Sequence, residues 1–296
     1  AGPDSTRAAT SARRSGTEGR MRSLRTRWPV IRRRVVNARH VMLCCDFDGT
    51  LAPIAEHPSR ARLPAGTKRL LKRLVGLPGL RVALVSGRAL HDLKRMAGIR
   101  GLYYIGNHGL ELEGPNLRYI NPVAQATRLL LKKITGQLQV ALRFIPGAWV
   151  EEKGLTFSIH WRNIPKTAHR TFHRVVAQCT DPYLQRRAIQ MTTGKRVIEI
   201  RPPVKWDKGT SIAWLLSRLR ERHDHSQSLV LYFGDDDTDE AAFKVTNRLR
   251  GLSVFVGPRR HPTAAEYWLN NPRDVHRWLA ELLQLRRRDG TWTGID

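Results

Sequence analysis

The sequence predicts an α/β protein: a doubly wound, mostly parallel sheet into which a smaller α+β domain is inserted. Three observations carry this. Short apolar runs such as Val41-Met42-Leu43-Cys44-Cys45 have no polar break, as expected of strands covered on both faces. They alternate with amphipathic stretches from residue 41 to about 115 and again after 203, the order of right-handed βαβ units. Between those halves the order changes to helix, strand, strand, given twice, which describes helices on one face of an antiparallel sheet.

Residues 1–40 read as a basic, largely unstructured leader, with 1 to about 24 disordered. They are rich in Arg, Ser, Thr and Gly and show no lasting apolar periodicity before Trp28–Val36, so burial cannot offset ordering entropy. The core begins at 41 and runs to 115. Its strand Val41–Cys45 is followed by a helix over Pro64–Val75, opened by proline with Leu70, Leu71 and Leu74 on one side. A strand over Leu80–Val85, a helix over Arg88–Met96 and a strand over Leu102–Ile105 complete this half. The inserted domain, 116–202, holds helices over Val123–Leu142 and Lys166–Cys179, each followed by two strands: Trp149–Glu152 with Leu155–Trp161, and Ala188–Thr193 with Val197–Arg201. After Pro202-Pro203 the core resumes to 288, with helices over Lys208–Arg222, Asp239–Leu249 and Asp274–Arg286 and strands over Leu229–Phe233 and Leu252–Val256; 289–296 is a tail. The cleft between the two domains is the expected ligand site.

Bulk properties narrow the class. A chain of 296 residues with 41% hydrophobic content can bury a sizeable core, which excludes a small stapled scaffold. Cys44, Cys45 and Cys179 are odd in number, lack metal-knuckle spacing and read as reduced thiols of a cytoplasmic protein. No apolar run approaches a membrane span. The net charge of +27 points to anionic partners, but residues 1–40 alone contribute +9, and no basic and aromatic interleaving of the kind that stacks bases is present. Phosphorylated metabolites fit that charge as well as nucleic acid does.

Asp46 and Asp48 stand at the end of the first core strand, in Asp46-Phe47-Asp48-Gly49-Thr50, where ligands gather in open α/β sheets. Two carboxylates two residues apart repel, and a cation relieves this most simply. A second cluster, Gly234-Asp235-Asp236-Asp237-Thr238-Asp239-Glu240, ends another apolar strand. Two acidic strand ends specify hard oxygen ligands for Mg²⁺ rather than zinc. Ser86 and Gly87 follow a strand and open a helix, offering a hydroxyl and backbone N–H groups to an anion, and Lys208 opens another helix with a fixed positive charge. In the inserted domain, alternation puts Lys195, Val197 and Glu199 on one strand face and His160 and Arg162 on one face of another.

These four ordered motifs resemble those of the haloacid-dehalogenase-type phosphatases, whose fold is a Rossmann-like core with a parallel sheet and, in one class, an inserted α+β cap of the C2 type. The resemblance spans about 41–260. The strings Asn107-His108-Gly109, Glu151-Glu152-Lys153-Gly154-Leu155-Thr156, His160-Trp161-Arg162, Gly194-Lys195, Val197-Ile198-Glu199-Ile200-Arg201-Pro202-Pro203 and Trp206-Asp207-Lys208-Gly209 are similar to the trehalose-6-phosphate phosphatase branch. The resemblance implies a Mg²⁺-dependent hydrolysis of trehalose 6-phosphate, coupled in function to a trehalose-6-phosphate synthase. It makes Asp46 the nucleophile, Asp48 the general acid and base, and Ser86, Gly87 and Lys208 the phosphoryl contacts. Asp46, Asp235 and the carbonyl of Asp48 would hold the metal, with Asp236 and Asp239 as further ligands. Glu151, Lys153, His160, Arg162, Lys195 and Glu199, with Asn107 and His108, would read the sugar. The alternatives are the same chemistry on sucrose phosphate or a glucosyl- or mannosyl-phosphoglycerate, and a nucleic-acid-binding or regulatory protein on a retired phosphatase fold.

Overall fold

The computed structural model describes residues 21–55, 58–194, 196–222, 228–258 and 262–288. The chain begins with strand β1 (Arg22–Ser23) and helix α1 (Leu24–Asn37), followed by β2 (His40–Asp46), α2 (Ala65–Val75), β3 (Leu80–Val85), α3 (Leu90–Ala97), β4 (Tyr103–Gly106) and a hairpin of β5 (Glu111–Gly114) and β6 (Leu117–Ile120). Then come α4 (Pro122–Leu142), β7 (Trp149–Glu152), β8 (Phe157–His160), α5 (His169–Gln185), β9 (Gln190–Gly194) and β10 (Val197–Arg201). The remainder is α6 (Lys208–Arg222), β11 (Ser228–Gly234), α7 (Glu240–Arg248), β12 (Leu252–Val256), β13 (Tyr267–Leu269) and α8 (Pro272–Arg288).

One sheet has the order β1-β13-β12-β11-β2-β3-β4-β5-β6, parallel from β1 to β4 and antiparallel in the β5–β6 hairpin. Alternation along β2 explains why it is central. Val41, Leu43 and Cys45 pack on one face with α1, α2, α3 and α8, while Met42 and Cys44 pack on the other with Ile212, Leu215 and Phe243 of α6 and α7. The adjacent cysteines thus point to opposite layers. The second sheet, β7-β8-β10-β9, is antiparallel, and Phe157, Ile159, Ile198 and Ile200 bury one face of it under α4 and α5. Its other face is turned to the carboxyl ends of the core strands. Asn121 caps the helix at the crossing between the sheets, its side-chain oxygen accepting from the backbone of Val123 at 3.0 Å and Ala124 at 3.2 Å.

Two boundaries differ from the sequence reading. The leader expected over 1–40 is ordered from residue 21 onward: Leu24, Ile31 and Val35 of α1 are buried in the main core, and β1 pairs in parallel with β13. The Arg-rich composition hid a narrow apolar stripe, with Trp28 completing a helical spacing of four, three and four. The insertion, expected from 116, leaves the core sheet only after β6, because Leu117–Ile120 pairs with β5. Residues 1–20 and 289–296 lie outside the described residues. Among those described, no helix is long and apolar enough to cross a membrane.

Candidate active site

Register brings the acidic strand ends together. In the parallel β2–β11 pair Cys45 lies opposite Phe233, so Asp46 and Asp235 emerge side by side. In the β2–β3 pair Asp46 lies opposite Val85, which sets Ser86 next to it. β2 is also where the strand order divides, with β3 on one side and β11 on the other. After Asp46 the chain turns tightly, the Gly49 N–H donating to Ala52 O at 2.7 Å. Gly49 adopts φ +84°, and a Cβ there would fall 2.0 Å from Asp235 Oδ2, so this position admits only glycine if Asp235 is to sit against the loop.

Lys208 is the hinge of the polar core. Its Nζ donates to Asp46 Oδ1 at 2.7 Å and Asp239 Oδ1 at 2.8 Å, and all three side chains are buried. Asp239 is saturated. Its Oδ1 also accepts from the Tyr232 hydroxyl at 2.5 Å, and its Oδ2 accepts from the backbone N–H groups of Asp235 at 3.0 Å and Asp236 at 3.2 Å. It therefore anchors Lys208 and the loop. Asp236 is exposed and caps the short turn after it, accepting from Thr238 N–H at 2.9 Å and Oγ1 at 2.6 Å. Asp235 is held by the Thr50 hydroxyl at 3.2 Å.

The charges in this site do not balance. Burial, reinforced by Asp239, Asp235 and Asp236, raises the Asp46 carboxyl well above the usual range even with Lys208 opposing it. Burial, then Asp236 and Asp239, push Asp235 up to about 7. Carboxylate oxygens of Asp46, Asp235 and Asp239 lie within 4.8 Å of one another. An all-oxygen set with too much negative charge fits a hard divalent cation. With Asp239 occupied, Asp46 and Asp235 are the side chains with capacity to hold it.

The cap supplies the roof of a cleft of about 530 Å³, lined among others by Asp46, Asp48, Ser86, Gly87, His108, Glu151, Lys153, His160, Glu199 and Lys208. Glu199 Oε1 accepts from His108 Nε2 at 3.1 Å and Lys153 Nζ at 3.4 Å. Burial alone would raise Glu199, but His108 and Lys153 outweigh it and hold the carboxyl well below the usual range. Burial lowers the His108 pKa despite the opposing Glu199. With Nε2 donating, Nδ1 is an acceptor, and it is buried without a partner. His160 donates to Glu151 Oε2 at 2.9 Å and stacks on Trp149 with ring centroids 4.0 Å apart. Gly87 leaves room for the His108 ring, since a Cβ would lie 2.5 Å from it. Asn107 and His108 both adopt left-handed backbone, with φ 48° and 55°, a local strain typical of functional turns.

Most residues singled out in the sequence thus meet in one cleft. Asn107 and Arg162 do not fit the place expected of them. Asn107 is fully buried in the seam between core and cap, where its polar atoms are used by Glu111, Lys153 and Thr156. Arg162 lies past the end of β8, exposed and away from the cleft lining, because the strand stops at His160. Lys195 lies outside the described residues. Two residues went unassigned in the sequence. Arg88 forms a bidentate pair with Asp48, Nε to Oδ2 at 2.6 Å and Nη2 to Oδ1 at 2.7 Å, and Tyr232 braces Asp239. Arg88 stands in the Ser-Gly-Arg string, but only the fold brings it to Asp48. Tyr232, a hydroxyl-bearing residue inside a buried strand, was the legible signal of the two.

The sequence pattern of the trehalose-phosphatase family matches residues 44–273. Trehalose-phosphate phosphatase B of Arabidopsis thaliana is 31% identical over 268 residues, covering 86% of this chain and 70% of that protein. Trehalose-phosphate phosphatase of Mycobacterium tuberculosis strain H37Rv is 37% identical over 258 residues, covering 84% of this chain and 63% of that protein, so the chain spans less than two thirds of the mycobacterial relative. The C-terminal domain of the Candida albicans trehalose-6-phosphate phosphatase superposes with a TM-score of 0.73 at 23% identity, over 89% of this chain and 98% of that one, which is a likeness of fold. The motifs at the strand ends, the inserted cap and the match over most of its length agree: the chain belongs to the trehalose-phosphatase family.

Proposed function

We propose that the protein hydrolyses trehalose 6-phosphate to trehalose and phosphate, working downstream of a trehalose-6-phosphate synthase. The observation that carries this reading is one cleft whose floor holds Asp46, Ser86 and Lys208, whose roof holds Lys153 and Glu199, and whose core wall carries His108 against Glu199. The floor suits a phosphoryl group. The cap side offers a donor in Lys153 and an acceptor in Glu199 together, as a hydroxyl-rich sugar requires.

Asp46 attacks phosphorus, forming an O–P bond, while Asp48 passes a proton to the departing sugar oxygen as its P–O bond breaks. Water then attacks the aspartyl-phosphate and gives its proton to Asp48, releasing phosphate and regenerating Asp46. Lys208, fixed between Asp46 and Asp239, aims the nucleophile and opposes the burial that raises its carboxyl. Ser86 and the backbone at Gly87 receive the phosphoryl oxygens. Asp46 and Asp235 would hold Mg²⁺, which would supply positive charge for the phosphoryl oxygens. Glu151, Lys153, His160 and Glu199 line the cap side and orient the sugar.

Phosphate release with Mg²⁺ from trehalose 6-phosphate, sucrose phosphate, glucosyl-phosphoglycerate and p-nitrophenyl phosphate tests this. Trehalose 6-phosphate should give the highest kcat/KM by at least about tenfold, the worth of one buried polar contact. A preference for another phosphosugar would replace the substrate and keep the chemistry.

A further inference from the structure

Arg88 stands between the two halves of the site. Its fork takes both oxygens of Asp48, and its side chain is only 12% exposed. Two of the five N–H groups of a guanidinium are used in this way. Across the cleft Glu151, on β7 of the cap, faces the same space, and its charge acts on the Arg88 guanidinium. Arg88 therefore has a carboxylate on the core and a second one on the cap.

The bidentate pair conflicts with the work assigned to Asp48. To pass a proton to the sugar oxygen Asp48 must turn an oxygen to the leaving group, and here the fork engages both oxygens and fixes the plane of the carboxylate. Something must draw the guanidinium aside when the substrate is in place. Glu151 is the acceptor facing it across the cleft, and its Oε2 is hydrogen-bonded to His160 at 2.9 Å.

We propose that Arg88 is a positioning residue that couples cap closure to proton transfer, exchanging one of its two hydrogen bonds to Asp48 for Glu151 as the cap closes on the sugar. With the cap open, Arg88 holds Asp48 turned away. With the cap closed, the remaining hydrogen bond aims the freed oxygen at the leaving group. A phosphate ester too small to reach the cap cannot trigger the exchange. The proposal rests on the phosphatase reading of the same site.

A double-mutant cycle in kcat tests it, with the full chain and Mg²⁺, using Arg88→Lys, Glu151→Gln and the pair. Lysine keeps the charge and loses the fork. On trehalose 6-phosphate each single variant should lower kcat by about tenfold or more, and the double variant should fall no more than about threefold below the worse single one. On p-nitrophenyl phosphate, which leaves the cap open, the two losses should simply multiply. Multiplying losses on trehalose 6-phosphate, or the same coupling on both substrates, overturns the proposal. If Arg88→Lys does not melt cooperatively, Arg88→Gln replaces it in the same cycle. A wild-type protein that releases no phosphate overturns the phosphatase reading and this proposal together, whereas an active enzyme with multiplying losses overturns the role of Arg88 alone.

Discussion

The side-chain oxygen of Asn107, on the core, accepts a hydrogen bond from the Thr156 hydroxyl of the cap at 2.8 Å, and both residues are buried. The same amide donates to Glu111 Oε1 at 2.6 Å and to the Lys153 carbonyl at 3.0 Å, so one side chain ties the turn carrying His108 to the loop carrying Lys153. Those two residues then share Glu199.

Asn107→Ala should therefore leave Thr156 and the Lys153 carbonyl unpaired in the seam, at a cost of about 1–3 kcal/mol. For a chain of this size that lowers Tm by roughly 2–4 °C per kcal/mol. KM for trehalose 6-phosphate should rise more than KM for p-nitrophenyl phosphate. Calorimetry and steady-state kinetics on the same preparation check both, and an unchanged Tm would remove the latch.

Asp46→Asn should lose at least about a thousandfold in kcat, because an amide cannot form the acyl-phosphate. The fold should persist, since Lys208 keeps Asp239. Rapid quenching with labelled substrate should trap no phosphoenzyme. Activity within tenfold of wild type would exclude Asp46 as nucleophile.

Metal binding should depend on pH in a fixed direction. A carboxyl raised to about 7, as Asp235 is, contributes stability that is full below its unfolded value near 4 and lost as pH rises through about 7. The cation binds the ionised form. The increase in Tm produced by Mg²⁺ should therefore be larger at pH 8 than at pH 6, and EDTA should abolish both that increase and turnover. Calcium, with longer and looser oxygen contacts, should restore activity poorly. A larger Mg²⁺ effect at pH 6 would contradict the site.

Glu199 carries the opposite sign. Its carboxyl is held below the usual range once His108 and Lys153 outweigh burial, so its contribution is present above the unfolded value of about 4.3 and lost as pH falls through its depressed value. Glu199→Gln should be less stable at pH 7 by about 1–3 kcal/mol. The gap to wild type should narrow toward pH 3 in denaturant titrations. A constant gap would show that the charge of Glu199 contributes nothing.

Sequence reading succeeds where a residue's role follows from its own neighbours in the chain. Asp46, Ser86 and Asp235 each come directly after an apolar strand, and Lys208 opens a helix, so strand ends alone bring them together. It fails where roles depend on register between distant segments. Arg88 meets Asp48 across 40 positions and Asn107 meets Thr156 across 49, and neither distance leaves a periodic trace. Arg162 shows a related error: alternation holds only while the strand lasts, and β8 ends at His160. The fold shows the same division. Runs buried on both faces, such as β2 and β3, were plain, whereas the half-buried β5–β6 hairpin was hidden by the Gly114-Pro115-Asn116 turn and its edge position. Helix α1 was masked by averaging composition over forty residues, although its inward positions, Leu24, Trp28, Ile31 and Val35, repeat at helical spacing.

The amino-terminal wrap has a practical side. Arg22 N–H donates to Glu266 O at 2.9 Å, Arg25 pairs with Asp274 at 2.6 Å, and Trp28 meets Trp278 edge to face at 5.5 Å. A fragment trimmed to begin at residue 40, as composition invites, would bare the outer rim of β13 together with that indole. Bare strand rims recruit other strands, so such a fragment would tend to precipitate while its chemistry remained intact. The stretch that looks most like packaging closes a rim that would otherwise stand open.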